Sequence, residues 1–209
     1  MVPPLILLLH MKKNLLATSI ALLLLASQGS AELTLTPKIV TLDFAGVPVR
    51  RAYFMDGTKK FAVTLDNETE LSAHGKGALF CFTRFPLATV ELFRSPMKAG
   101  TGFSVENIAD YARAARQLLA ATAEIWPEEP MVIDPLPING WKTCRFNFFY
   151  RVGGSAVRAD VTFIDLNEKD QIVVVTGGTA NSYTNVRSRS DDIIRRWHEV
   201  TAEEESGVN

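Results

Sequence analysis

Two glycines, Gly153-Gly154, separate two runs, Lys142–Arg151 and Ala156–Leu166, whose side chains alternate with the two-residue period of a β-strand. With these glycines as a two-residue turn, facing residues carry numbers that sum to 307. Cys144 then faces Phe163, Phe146 faces Val161, Phe148 faces Ala159 and Tyr150 faces Val157. All eight fall on one side, as a core face requires. The other side pairs Arg145 with Thr162, Asn147 with Asp160, and Phe149 with Arg158. Slipping one strand by a single residue mixes the two sets, so the pattern specifies the register. A chain carrying this segment must build an antiparallel sheet with a covered face, and Cys144 is expected to point into the core.

The rest of the chain supplies further strands and two helices. Asp56-Gly57 marks a turn between Arg51–Met55 and Lys59–Leu65, a second hairpin. Glu32 to Val49, broken by Pro37 and Pro48, reads as an extended lead-in, and Asp66 to Gly77 as a polar loop. Strands are expected at Ala78–Phe85 and Ala88–Arg94, with Pro86 between them. Ser104 suits the N-cap of a helix from Val105 to Ile125, with Ile108, Tyr111, Ala112, Ala115, Leu118 and Leu119 at helical spacing. Pro127 and Pro130 stop it. Asn139-Gly140 is a turn signal before the Gly153-Gly154 hairpin. The β-branched run within Gln171–Thr176 suits a strand covered on both faces, ended by Gly177-Gly178. Thr179 to Arg187 reads as a loop, and Ser190 as the cap of a last helix, Asp191–Val200.

The N-terminus carries a different signal. Met11-Lys12-Lys13 is a basic start, Leu15 to Ala26 an apolar run, and Gly29-Ser30-Ala31 a small-residue cleavage site. Together they read as an export signal over residues 1–31, with the true start at Met11 and cleavage near Ala31. The apolar run is too short to span a bilayer, which takes about 20 residues, so no transmembrane segment is expected after cleavage. The destination is periplasmic or secreted. Removing residues 1–31 takes away two lysines and no acid, leaving 20 basic and 23 acidic residues, a net charge of −3. So small and mixed an excess gives no footprint for nucleic acid. About 178 residues then remain, enough for one domain with a proper core. The chain divides into a 32–60 lead-in and hairpin, a 61–202 domain, and a 203–209 acidic tail. Cys81 and Cys144 are the only cysteines. Export permits a disulfide between them, worth about 4 kcal/mol in the chain-entropy model. Two buried thiols are the alternative.

The order of these elements resembles the PsbP-like fold. The segments that carry the likeness are Phe61–Leu65, Ala78–Phe85 with Ala88–Pro96, the Ser104–Ile125 helix, Ile138-Asn139-Gly140-Trp141, the Lys142–Thr176 meander and the Asp191–Val200 helix. Asp66-Asn67 stands where the family usually carries a proline–tryptophan element. The resemblance implies an α+β fold, an antiparallel β-sheet with helices packed on it as an α/β/α sandwich. It also implies a binding or accessory role, since relatives act as assembly factors, partner-binding proteins or carriers of apolar ligands.

No catalytic signature contradicts that role. There is no Gly-x-Ser-x-Gly, and Gly153-Gly154-Ser155 lies on a hairpin instead of a strand-to-helix elbow. His74 and His198, the two histidines after residue 31, read as surface residues and lack metal-ligand spacing. No cofactor is expected, because the paired glycines match no dinucleotide or phosphate-loop fingerprint. Contact candidates are Trp141, with Phe146, Phe148 and Tyr150, as the lining of an apolar cavity, against the plainer reading of core packing. Arg187, Arg189, Arg195 and Arg196 form a local basic cluster suited to an acidic partner, against the plainer reading of a solvated helix face. The sequence therefore points to an exported non-catalytic binding or accessory protein, carrying an apolar ligand or assisting assembly of an envelope complex. The alternatives are an exported hydrolase, with acids such as Asp160 and Asp165, and a structural component of the envelope.

Overall fold

The computed structural model describes residues 33–56, 59–119, 124–125, 132–133, 140–202 and 204. The export signal, the prolines after the first helix, the Ile138-Asn139 turn signal and nearly all of the acidic tail lie outside the described residues. Described strands are β1 (Thr34–Phe44), β2 (Val47–Asp56), β3 (Lys59–Leu65), β4 (Thr69–His74), β5 (Gly77–Phe82), β6 (Phe85–Arg94), β7 (Glu124–Ile125), β8 (Val132–Ile133), β9 (Lys142–Val152), β10 (Ser155–Asp165), β11 (Gln171–Thr179) and β12 (His198–Glu199). Two helices are described along their whole length, α1 (Ile108–Gln117) and α2 (Tyr183–Arg196).

Every pairing is antiparallel. A large sheet runs β4-β5-β6-β11-β10-β9-β7, with β8 also on β9, and a small sheet runs β1-β2-β3-β12. β9 and β10 hold the expected register throughout, from Ser155 opposite Val152 to Asp165 opposite Lys142. Gly153 (φ 56°) and Gly154 (φ 83°) both occupy the left-handed region that such a turn demands. The second expected hairpin is also present, with Asp56 opposite Lys59 and Arg50 opposite Leu65.

Alternation along the large sheet divides the buried side chains into two cores. On one face Cys144, Phe146, Phe148, Tyr150, Val161, Phe163 and Val173 pack under Tyr111, Ala114 and Ala115 of α1. Tyr111 meets Phe103 and Phe163 edge-on, with ring centroids 5.0 and 4.9 Å apart. On the other face Phe80, Phe82, Val90, Leu92, Ile172 and Val174 meet Phe54, Phe61 and Val63 of the small sheet and Val186 and Ile194 of α2. Trp197 closes this second core, stacked on Phe54 at 4.5 Å and tilted against Phe61 at 6.0 Å. β11 has a core on each face, as its β-branched run implies.

Several expectations are corrected. Among the described residues antiparallel sheet predominates, and the helices that pack on it are short, one of 10 residues and one of 14. Helix α1 begins after Asn107, whose side-chain Oδ1 accepts from the Ser104 amide, so Ser104 is not the cap. It ends at Gln117, and Glu124–Ile125 pair with β9 instead of extending the helix. Helix α2 starts eight residues before Asp191, within the stretch expected as loop, and stops at Arg196. Ser190 lies inside it, fully buried, its hydroxyl 2.6 Å from that of Thr176. The polar stretch after Asp66 contains β4, and β11 runs through Gly177-Gly178 to Thr179. The lead-in forms β1 and the start of β2, joined by a turn at Ala45 and Gly46, both with positive φ.

Cys81 and Cys144 are not joined in a disulfide. Their strands, β5 and β9, are four strand spacings apart in the large sheet, about 19 Å, whereas a bridge needs Cα atoms within about 7 Å. Cys144 is fully buried on the core face, opposite Phe163, as its register predicts.

Candidate functional site

The inner face of the small sheet is closed against the large one, which leaves its outer face as the place to look for a binding surface. Lys38 opposite Tyr53, Val40 opposite Arg51 and Leu42 opposite Val49 share that outer face between β1 and β2. Tyr53 opposite Ala62 and Met55 opposite Lys60 continue it onto β3. Past β12 the ladder with β3 continues for one more rung, the Val200 amide donating to the Lys60 carbonyl at 2.7 Å. The result is an open groove of about 570 Å³ lined by Lys38, Val40, Leu42, Tyr53, Met55, Lys60, Val200 and Glu204. Its volume falls in the range of small-molecule sites. Met55 is 41% exposed there, while Leu42 is buried.

Charged groups rim the apolar floor. The Lys60 ammonium lies 5.3 Å from the centre of the Tyr53 ring, a cation–π distance. Glu204 Oε2 accepts from the Thr201 amide at 3.2 Å. Its Oε1 lies 3.3 Å from His198 Nε2 and 3.9 Å from Arg51 Nη1. The Thr201 amide first, then His198 and Arg51, hold the Glu204 carboxyl below its ordinary pKa, so its charge is matched within the chain.

A second cluster lies between α2 and the large sheet. Arg145, 2% exposed, donates from Nε to Thr162 Oγ1 at 3.0 Å and from Nη2 to Asp191 Oδ1 at 2.6 Å. Its Nη1 is 3.8 Å from Asp160 Oδ2, which Arg187 Nε approaches to 3.2 Å. Burial raises the Asp160 carboxyl above its ordinary pKa, against the Tyr183 hydroxyl, Arg145 and Arg187, which pull the other way. Burial and the neighbouring Asp160 charge likewise raise the Tyr183 phenol. Two arginines facing two aspartates neutralise one another, and the cluster clamps α2 to β9 and β10.

The arginines singled out in the sequence do not converge. Arg187 reaches Asp160 under the helix. Arg189 instead turns to the end of β3, pairing with Asp66 at 2.9 Å and with Glu68, its guanidinium 5.8 Å from the Phe82 ring. Together with the Thr69 hydroxyl and the Glu68 amide it lowers the Asp66 pKa despite partial burial. Arg195 pairs with Asp192 one turn back on the helix surface at 3.5 Å. Arg196 borders a shallow hollow of about 40 Å³ with Arg189, Asp192 and Asp66. Trp141 packs against the core shared by the two sheets, beside a space of about 10 Å³, too small for a ligand. Phe146, Phe148 and Tyr150 fill the other core. Asp160 and Asp165 occupy opposite faces of β10: Asp160 faces α2, and Asp165 accepts from Gln171 Nε2 at 2.5 Å on the α1 side. Among the described residues no cluster of His, Cys, Asp and Glu is placed to hold a metal ion, and no helix is long and apolar enough to cross a membrane.

The groove residues carry only a faint sequence signal. Lys38, Val40 and Leu42 alternate properly, but Pro37 interrupts the pattern, and a bulge between Thr34 and Lys38 absorbs that proline.

No protein-family model matches the chain, and no curated protein matches it. Among solved structures, the chain is similar to the cyanobacterial PsbP of Synechocystis sp. PCC 6803, with 11% identity, TM-score 0.46, and 83% of this chain and 96% of that one covered. It is also similar to LpqN of Mycobacterium tuberculosis, described as involved in cell envelope biogenesis, with 8% identity, TM-score 0.43, and coverage of 79% and 92%. A protein of unknown function from Pseudomonas aeruginosa shows 9% identity, TM-score 0.40, and coverage of 75% and 94%.

Proposed function

We propose that this chain is an exported, non-catalytic binding protein whose working surface is the outer face of the small sheet. The observation that carries the reading is the groove of about 570 Å³, a space of ligand size floored by Val40, Leu42, Tyr53 and Met55. Export rests on the basic, apolar and small-residue order of Met11–Ala31. The charged residues elsewhere serve the fold: Arg145, Arg187 and Arg189 each hold an acid within the chain.

The test is uptake of the neutral apolar probe N-phenylnaphthylamine, followed by its emission. The protein takes up one probe per chain, and Met55→Glu weakens uptake about tenfold by placing a carboxylate on the groove floor. Leu87→Glu, at a 78% exposed position on the large sheet, leaves uptake unchanged. Equal uptake by all three proteins would sink the assignment of the surface.

A further inference from the structure

The hairpin of β1 and β2 ends in an apolar tip. Phe44 faces Val47 across a two-residue turn, Ala45-Gly46, with φ of 54° and 83°. Such turns favour Asn or Asp followed by Gly, because both positions are left-handed. Here an alanine holds the first position at a conformational cost, and it is exposed. Residues 43–48 are all exposed, Phe44 at 44% and Val47 at 60%. The one charged side chain among them, Asp43, turns back, its Oδ1 accepting from the Gly46 amide at 2.7 Å. The tip thus presents Phe44, Ala45, Val47 and Pro48 outward. Basic groups stand behind it. Arg50, three residues from Val47, lies about 10 Å back along the hairpin, and Lys38, six residues from Phe44, about 20 Å. Arg50 Nη1 donates to the Thr69 carbonyl at 3.0 Å, a neutral acceptor, and Lys38 is exposed. Neither is paired with an acid among the described residues.

We propose that the Phe44–Val47 tip inserts into the interface of an anionic lipid bilayer, with Arg50 at the phosphates and Lys38 facing the surface charge. Segments lying in that interface bury their apolar side chains about 5–10 Å deep, which sets a cation about 10 Å behind the tip among the headgroups. A second copy of this chain fits the tip less well. Phe44 and Val47 together offer roughly 200 Å² of exposed side chain, whereas a specific protein interface needs about 1,000 Å². A bilayer demands no such complementary area. The inference stands apart from the groove, which neither Phe44 nor Val47 lines.

The test is co-sedimentation of the purified exported protein with vesicles of phosphatidylcholine, alone or with one-third phosphatidylglycerol. The expected result is binding to both, several-fold tighter with phosphatidylglycerol and weakened by salt. A Phe44→Ser/Val47→Ser double variant, with unchanged circular dichroism, binds at least tenfold more weakly and still takes up the neutral naphthylamine. If that variant loses its fold, Val47→Ser alone lowers binding several-fold. The emission of Phe44→Trp shifts to the blue with vesicles, and that of Leu87→Trp, exposed on the large sheet, does not. Equal binding by the unaltered protein and the double variant would overturn the tip as the contact. Equal binding to the two vesicle compositions would overturn the part given to Arg50 and Lys38. Absence of binding to either, or a lipid-free dimer in sedimentation velocity that the double variant loses, would overturn the membrane in favour of water or a second copy.

Discussion

Replacing Arg145 with Met tests whether the buried charges hold α2 in place. Arg145 is enclosed, and its removal deletes the bond to Thr162, the 2.6 Å pair with Asp191 and one of the two guanidinium groups beside Asp160, the one at 3.8 Å. Asp160, 1% exposed, keeps only Arg187, itself 39% exposed, and the Tyr183 hydroxyl. Breaking a buried pair in this way costs about 3–5 kcal/mol, because the remaining charge stays desolvated. The loss depends on pH with a definite sign. The folded-state pKa of Asp160 lies above its unfolded value of 3.8, so its contribution is fully present below that value and is lost as pH rises through the folded pKa. Without Arg145 that folded pKa moves higher still, so Arg145→Met is most destabilised near neutrality and least near pH 4. Urea unfolding followed by circular dichroism at several pH values measures this, and adding Asp160→Asn to the variant recovers part of the loss at neutral pH. A loss below about 1 kcal/mol at pH 7, or one that does not change with pH, would refute the reasoning.

The closed side of the small sheet, the backbone contacts between strands and the thiols give three further tests. Trp197→Ala removes the ring stacked on Phe54 and Phe61 and lowers stability by about 3–5 kcal/mol, seen as a fall in Tm; a change under about 1 kcal/mol would contradict the placement of Trp197. Gly77→Ala puts a Cβ 2.2 Å from the Leu92 carbonyl oxygen, so β5 must move away from β6, at a cost of about 1–3 kcal/mol or more. Gly177→Ala, which meets nothing within 4 Å, is tolerated in the same thermal assay. Intact mass is unchanged by reductant, and a thiol reagent labels partly exposed Cys81 in the native protein but reaches Cys144 only in denaturant.

What the sequence makes legible follows from which interactions are local. The Gly153-Gly154 hairpin is readable because turn, alternation and core face all reside within 25 consecutive residues, Lys142–Leu166, and agree with one another. Helix α2 is harder, since its buried stripe is Tyr183, Val186, Ser190 and Ile194, and one of the four is a serine satisfied by Thr176 on another element. Ser190 therefore looks like a cap until β11 is in view. The length of α1 misleads for the opposite reason. Leu118, Leu119 and Ile125 prolong an apolar helical pattern, but Glu124–Ile125 find partners on the edge of β9. The groove is least legible of all. Its lining comes from β1, β2, β3 and the segment after β12, brought together only when β12 pairs with β3. No local pattern joins Lys38 to Lys60 or Glu204. The arginines of α2 show the converse: adjacent in sequence, they turn to acids on different sides of the helix.

Methyl-resolved NMR of the protein titrated with N-phenylnaphthylamine tests the central claim most directly, because the groove and the two cores carry different methyl groups. The account predicts saturable shifts at Val40, Leu42, Met55 and Val200, with Val90, Val174 and Ile194 in the closed core unmoved. Shifts centred on the core residues, or none at the four groove positions while ligand binds, would contradict it.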